Sequence, residues 1–381
     1  MKQWRQYRLI DILDKIIDYR GKTPQKTDSG IPLITAKIIK DGRILPPNEF
    51  IAESNYDQWM VRGIPHEGDV VLTVEAPLGE VAQLGNEKIA LAQRVVTLRG
   101  KEGVLDNTFL KYFLMSQVGQ ARLKARETGT TVTGIKQSEL REVLIDCPEY
   151  DKQVQIASIL RSIDNKIENN RQINDNLEQQ ASSLLSDWIS TYPCRTYKLS
   201  DICKYANAKC ETGNLTPQNY ISTENMLPNK KGIVEASNIP TGKATWYKVD
   251  DILIANIRPY FQKIWKADIN GGCSADVLCI RANIESHSPI LYWLLHQDAF
   301  FEYVMTGAKG CKMPRGDKQH IMNWSIDLPE VQYWADLATQ LGSIDQQIAY
   351  NRIESINLSN LRDTLLPKLM SGEIKINEID C

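Results

Sequence analysis

Along two stretches of the chain, core-type positions recur at alternating spacings of four and three. The first stretch runs Ile156, Leu160, Ile163, Ile167, Asn170, Asn174, Leu177, Ala181, Leu184 and Trp188. The second runs Leu337, Leu341, Ile344, Ile348, Asn351, Ser355, Leu358, Arg362, Leu365 and Leu369. Such spacing is the heptad seam of a long helix. Both stretches follow a proline–acid pair, Pro148-Glu149 and Pro329-Glu330, which reads as a helix start. A helix of ~35–40 residues spans ~50–60 Å at 1.5 Å per residue. It outruns a small globular domain and must bury its stripe on a partner. The nearest partner is the other copy, and globular domains packed on opposite ends would make the pair an antiparallel coiled coil. Asn170 and Asn351 hold corresponding seam positions. Either they are buried and fix register at some expense in stability, or the seam turns toward solvent there. Pro367 stands where the first copy has Ser186 and predicts a kink or an end to the second helix.

Outside these stretches the apolar runs are short. "DVVLTVEA" (Asp69–Ala76) and "RVVTLR" (Arg94–Arg99) read as strands before the first helix. "DILIANI" (Asp251–Ile257) and "DVLCIRA" (Asp276–Ala282) do so before the second. Turn signals such as Asp41-Gly42, Pro46-Pro47 and Gly271-Gly272 separate such runs. One helical stretch interrupts each set, near Asn107–Arg126 and Pro289–Met305. The pattern predicts mixed α/β (α+β) domains with mainly antiparallel sheets.

The two halves are copies. "SIDNKIENNR" at Ser162–Arg171 and "SIDQQIAYNR" at Ser343–Arg352 share six of ten positions at an offset of 181 residues. "IDCPE" at Ile145 and "IDLPE" at Ile326 keep that offset, as do Leu177, Leu184 and Leu185 with Leu358, Leu365 and Leu366. With a slip of one residue, "AQRVVTLR" aligns with "SADVLCIR", and "DVVL" with "DILI". The period is too long for a solenoid and predicts two whole modules. Residues 1–148 and 191–328 are then globular domains, and residues 149–190 and 329–374 are the helices that follow them.

Composition narrows the function. The chain has 381 residues, a net charge of −2 and 42% hydrophobic residues, which is ordinary soluble composition. The N-terminus is charged and lacks an apolar signal core, and no apolar run approaches the ~18–20 residues of a spanning helix. The expected location is cytoplasmic, away from membranes. Eight cysteines and four histidines lack zinc-ligand spacing, so reduced and mostly buried thiols are expected, with no metal. The balance excludes a uniformly basic nucleic-acid binder, but local basic runs remain at Arg20–Lys26, Gln120–Lys136 and Lys309–Lys318.

Two variable globular halves, each followed by a long helix bearing "SIDxxIxxNR", resemble the specificity (S) subunit of type I restriction–modification enzymes. "TGTTVTGI" at Thr128–Ile135 and "LLPKLMSGEI" at Leu365–Ile374 are similar to that family's approach to its first spacer helix and to its C-terminal ending. "DYRGKTP" (Asp18–Pro24), "TVEAPLGEVA" (Thr73–Ala82) and "YISTENM" (Tyr220–Met226) resemble phrases of its target-recognition domains. The second half departs from the pattern: its "TGAKGCKMPRGD" begins at Thr306, three residues further from "IDLPE" than Thr128 is from "IDCPE". The resemblance implies a non-catalytic reader of double-stranded DNA. Each globular domain would read half of an asymmetric target, and the helix pair would set the gap and dock two methyltransferase subunits. Those partners, not this chain, would hold S-adenosylmethionine and flip the adenine, and two restriction subunits could join them. The alternative is a DNA adenine methyltransferase carrying its own recognition domains. Its one trace is "NIRPYF" at Asn256–Phe261, where Ile257-Arg258 interrupts the motif that holds an exocyclic amine. No glycine-rich cofactor loop accompanies it.

Base edges are read by Arg, Lys, Asn and Gln, and phosphates are held by Lys, Arg and small hydroxyls. The candidates are Arg20, Lys22 and Thr23, then Lys37 and Arg43, then Thr130, Thr131 and Lys136 in the first half. In the second they are Asn225, Arg258 and Tyr260, then Lys309, Lys312 and Arg315. Ile156, Leu160, Ile163, Ile167, Leu177 and Leu184, with Leu337, Leu341, Ile344, Ile348, Leu358 and Leu365, are the candidates for the coiled coil and partner docking, and no residue is expected to be catalytic.

Overall fold

The computed structural model describes residues 4–129 and 133–374. The chain divides into two compact units, Met1–Glu168 with Ser355–Cys381, and Asn169–Glu354. The division falls within both long helices.

In the first unit a four-stranded antiparallel sheet runs in the order Leu13–Asp18, Val95–Gly100, Val70–Val74, Leu78–Gln83. Val70–Val74 is apolar at four of its five positions and buried at all of them, as expected of a strand covered on both faces. Alternation then sorts its side chains. Val70, Leu72 and Val74 join Val96 and Leu98 beneath the helices, with Phe109 and Phe113. Val71 and Val95 point the other way, into a second core with Ile31, Leu33 and Ile34. The second unit repeats the plan, in the order Cys203–Tyr205, Val277–Ala282, Ile252–Ala255, Ile264–Lys266. Ile252 and Ile254 face one core with Phe300, while Leu253 and Ala255 face another with Tyr247 and Trp265. Among the described residues, parallel pairing enters only at short flanking strands, Leu33 with Ala90 and Tyr220 with Gly272.

A buried bidentate ion pair is duplicated as well. Arg99 donates to both carboxylate oxygens of Asp69 at 2.8 and 2.7 Å, and Arg281 to both of Asp251 at 2.7 and 2.6 Å. Each aspartate also accepts a backbone N–H just upstream, from His66 and Lys248. These echoed charges brace the sheet.

The helical stretches of the two domains differ from the single helices expected. Asn107–Met115 and Gln117–Lys124 are separate helices, as are Ser288–Leu295 and Asp298–Thr306. The first break has a local cause. Ser116 is extended, and its hydroxyl donates to Phe113 O (2.6 Å) and accepts from Gly119 N (3.1 Å), which caps the next helix. A Cβ at Gly119 would lie 2.1 Å from Phe113 O, so only glycine fits this turn.

The long helices run Tyr150–Thr191 and Trp334–Ser371. In the first unit Ile156, Ala157 and Leu160 share a core with Leu366, Leu369 and Met370, and Arg362 meets Asp164 at 3.0 Å. In the second, Ala181, Leu185 and Trp188 share a core with Leu337 and Leu341. Within each unit the two helical segments are therefore antiparallel. Ile163 and Ile167 are also buried, and Ile344, Ile348, Leu177, Leu184, Leu358 and Leu365 are half-buried. Asn170 and Asn351 are buried rather than turned to solvent. Asn351 donates to Asn174 Oδ1 (2.8 Å) and accepts from Gln347 (2.8 Å), while Asn170 donates to Glu354 at 2.6 Å. Pro367 does not end the second helix, which continues to Ser371. Proline withholds one N–H from the helical ladder, but the burial of Leu366, Leu369 and Met370 holds the last turn in place.

Candidate nucleic-acid interface

In each unit the sheet ends at a loop that is closed by the segment leading to the long helix. In the first unit Val74 is followed by Glu75 and Ala76, and Ala76 has left-handed backbone (φ 47°). Gly134 bridges both Glu75 and Thr128, and Ile135 donates its N–H to Val74 O at 3.0 Å. A Cβ at Gly134 would stand 2.7 Å from Val74 O, which accounts for glycine at this contact. In the second unit Ala255 is followed by the loop 256–263, where Arg258 is left-handed (φ 52°). Arg315 bridges Ile257 and Lys309, and Arg258 donates its N–H to Pro314 O at 2.7 Å. A non-glycine residue at positive φ costs roughly 1–2 kcal/mol. Finding one at the same sheet end in both units marks the loops as candidates for function.

The second unit gathers its candidates well. Arg258, Tyr260, Lys309, Lys312 and Arg315 are all exposed on these two hydrogen-bonded segments. Tyr260 packs on Phe261 with ring centroids 4.7 Å apart, rather than beneath Arg258. Lys309 donates to Asp317 at 2.6 Å, which with two backbone N–H groups holds that carboxyl down at about 2. Arg315 pairs with Asp276 at 3.0 Å. Lys312 makes no ion pair among the described residues. Phe261 and Met313 are exposed on the same segments. Sequence reasoning passed over both because apolar residues default to core.

Asn225 does not belong to this surface. It is buried, donating to Tyr220 O (3.0 Å) and Val234 O (2.9 Å) and accepting from Ser222 N (2.6 Å). Its amide is fully engaged in pinning a turn. The turn itself abuts the loop, since Lys263 donates to Thr223 O at 2.6 Å.

The first unit is more dispersed. Lys22, Thr23 and Lys136 are exposed near the closed sheet end, and Thr23 approaches Gln93 at 3.5 Å. Arg20 is engaged internally: it donates to Asp18 (2.8 Å) and to Ile135 O (2.6 Å), tying the strand end to the pre-helix segment. Lys37 pairs with Glu49, which it shares with Lys26. Arg43 lies in a tight hairpin and approaches Glu168 of the first long helix at 3.8 Å. Neither is brought to the loop cluster by a described contact. Thr130 and Thr131 lie outside the described residues. The basic run around Arg122 is mostly scaffold, because Arg122 pairs with Asp146 (2.6 Å) and Arg126 with Glu139 (2.9 Å). Two residues not singled out from sequence join the site region. Arg94 meets Glu75 at 3.5 Å. Arg62 donates to the carbonyls of Asp18 and Arg20 at 2.9 and 2.8 Å, between exposed Val61 and Ile64.

Among the described residues, no cluster of three or more His, Cys, Asp or Glu side chains is placed to hold a metal ion. Cys147, Cys203, Cys273 and Cys279 are free and buried. No described helix is long and apolar enough to cross a membrane.

Residues 1–179 match the family model described as the Type I restriction modification DNA specificity domain. The chain is 24% identical over 368 residues to the Type I restriction enzyme MjaIX specificity subunit of Methanocaldococcus jannaschii, covering 86% of this chain and 82% of that one. It is 20% identical over 417 residues to the MjaVIII specificity subunit of the same organism, covering 100% and 95%. The crystal structure of the type I restriction–modification system S subunit from M. genitalium shares the fold over 96% of both chains, with a TM-score of 0.59 at 18% identity. Residues 1–179 thus match a type I restriction modification DNA specificity domain, and over most of its length the chain is similar to type I restriction enzyme specificity subunits.

Proposed function

We propose that this chain reads a split, asymmetric target in double-stranded DNA, with one half read by the loop cluster of each unit. The observation that carries this reading is one surface built twice from different side chains. Both sheets end in a loop with a left-handed residue closed by the pre-helix segment, and the residues displayed there differ. Two readers of the same architecture but different chemistry fit two different half-sites, about one helical turn (~34 Å) apart on the model of paired DNA-binding modules. The long helices are the spacer, since a stiff helix pair transmits a length as a flexible linker does not.

In this reading the chain itself is not catalytic. Two methyltransferase subunits dock on it, bring S-adenosylmethionine and methylate a flipped adenine, and two restriction subunits can join them, all in the cytoplasm. Exposed Tyr350, Ile353, Ile356 and Leu361 on the second long helix support docking of an apolar partner surface. The corresponding positions of the first helix are Asn169, Gln172, Asp175 and Gln180, so the two docking faces are not identical. The self-contained methyltransferase reading is not favoured. Its one candidate, Asn256, has its amide oxygen buried, with Gly316 packed so close that a Cβ there would lie 2.8 Å from that oxygen.

The test is selection of duplexes from a random library by the chain assembled with its methyltransferase partner. Two defined half-sites separated by a degenerate stretch are expected. Enrichment of one contiguous site would overturn the two-reader account.

A further inference from the structure

The charged residues of "SIDQQIAYNR" face the globular domain of their own unit. Asp345 and Arg352 are seven residues apart, two turns of the second long helix, and so lie on one side of it. Asp345 accepts from Lys266 Nζ at 2.6 Å and from Trp293 Nε1 at 2.8 Å. The Lys266 and Asp345 side chains are only 13% and 11% exposed. Two turns on, the Arg352 guanidinium pairs with Asp268 and lies 5.6 Å from the centroid of the Trp265 ring. Lys266, Asp268 and Trp265 belong to one short segment, the strand Ile264–Lys266 and the residues just after it.

That strand is the second arm of the hairpin that carries the candidate reading loop. Ile252 pairs with Lys266 and Ile254 with Ile264, and the turn between the arms, 256–263, displays Arg258 and Tyr260. The hairpin base is thus held on the spacer helix by two charged contacts two turns apart. One contact would allow pivoting about a point, whereas two fix a direction. The first unit shares the helix contact, Tyr112 standing at the offset of Trp293, but differs in the other partners. Asp164, the counterpart of Asp345, accepts from Tyr112 OH at 2.7 Å and meets Lys111 and Arg362 at 3.3 and 3.0 Å. Tyr112 and Lys111 lie on the helix Asn107–Met115, not on the loop-bearing hairpin.

We infer that Asp345 and Arg352 are positioning residues that aim the loop 256–263 from the second long helix, and so set how strictly the gap in the DNA target is measured. This rests on the two-reader function proposed above. A buried ion pair is weak evidence for stability alone; its geometric value here is that it joins the reader to the ruler.

The experiment uses the chain assembled with its methyltransferase partner and a duplex series whose half-sites are kept while the gap is shortened or lengthened by one and two base pairs. The wild-type assembly should favour a single gap length. D345N and R352Q should each narrow the ratio of cognate to off-length methylation by about tenfold, in the range of coupling between contacting residues. R352K, which keeps the charge, should restore part of the preference. K266Q probes the same contact from the domain side, where Lys266 also pairs with Asp250 at 3.1 Å, and should lose at least as much gap preference as D345N, with the double variant no worse than K266Q alone. Should D345N fail to fold, K266Q and R352Q carry the test. Unchanged gap preference in variants that melt lower would show that these residues only stabilise, and would overturn the inference. A wild-type assembly with no gap preference would instead overturn the two-reader function itself.

Discussion

Lys312 and Arg315 are both exposed on the second loop cluster, and they differ in how free their charges are. Lys312 has no ion-pair partner among the described residues, whereas Arg315 already neutralises Asp276. If both hold phosphates, replacing each by alanine weakens binding and lowers the slope of log affinity against log salt by about one per lost contact. A salt titration with an unchanged slope would remove them from the interface. Lys312→Ala is the cleaner variant, since Arg315→Ala also uncovers Asp276. Glu178, on the first long helix, makes a separate prediction. Burial and the neighbouring Asp175 push its carboxyl up to about 7 against the pull of Lys230 and Lys231. A carboxyl with a raised folded pKa favours the folded state in its protonated form, and that benefit fades as pH rises from the ordinary carboxylate range through 7. Glu178→Gln should therefore melt a few degrees higher than wild type at pH 8, at roughly 2–4 °C per kcal/mol, and match it near pH 5. Parallel melting curves across that range would contradict the assignment. Single-residue roles were the least legible in the sequence. Arg20 reads as a free cation until Ile135 O, 115 positions away, is found to accept from it. Asn225 reads as a base reader until its turn folds around it. Local charge shows what a side chain can do, and only tertiary contacts show what it is already doing.

Elements were far more legible, because each is dictated by periodicity over many residues. The seam of fours and threes extends through ten positions in each long helix, and every one is buried or half-buried. The strand runs around Val70 and Ile252 stood out by their apolar continuity. Failures came where one local interaction outweighed the pattern. Ser116 breaks a helix by capping the next one. Pro367 fails to end a helix because its neighbours are buried. The spacer role belongs to this scale. Inserting four residues into both long helices, near Asn174 and Ser355, adds about 6 Å at 1.5 Å per residue. Both half-sites should survive the change while the gap between them lengthens. A methylation map that retains the original gap would rule out the helices as the ruler.

At the scale of the whole molecule, the duplication was legible from one offset of 181 residues carried outward from ten. The division of the molecule was not. Sequence order suggests a domain followed by its helix, whereas each unit takes part of both long helices. That exchange depends on which helical segments lie side by side, as Asp164 does with Arg362, 198 residues away. The central claim is that the two loop clusters read two different half-sites at one fixed distance. A genome-wide map of methylated adenine in the host, compared with a strain lacking this chain, tests it most directly. The account predicts that the sites lost share one motif of two unlike halves around a degenerate gap of constant length. A contiguous motif, a palindromic one, or a gap of variable length would contradict it.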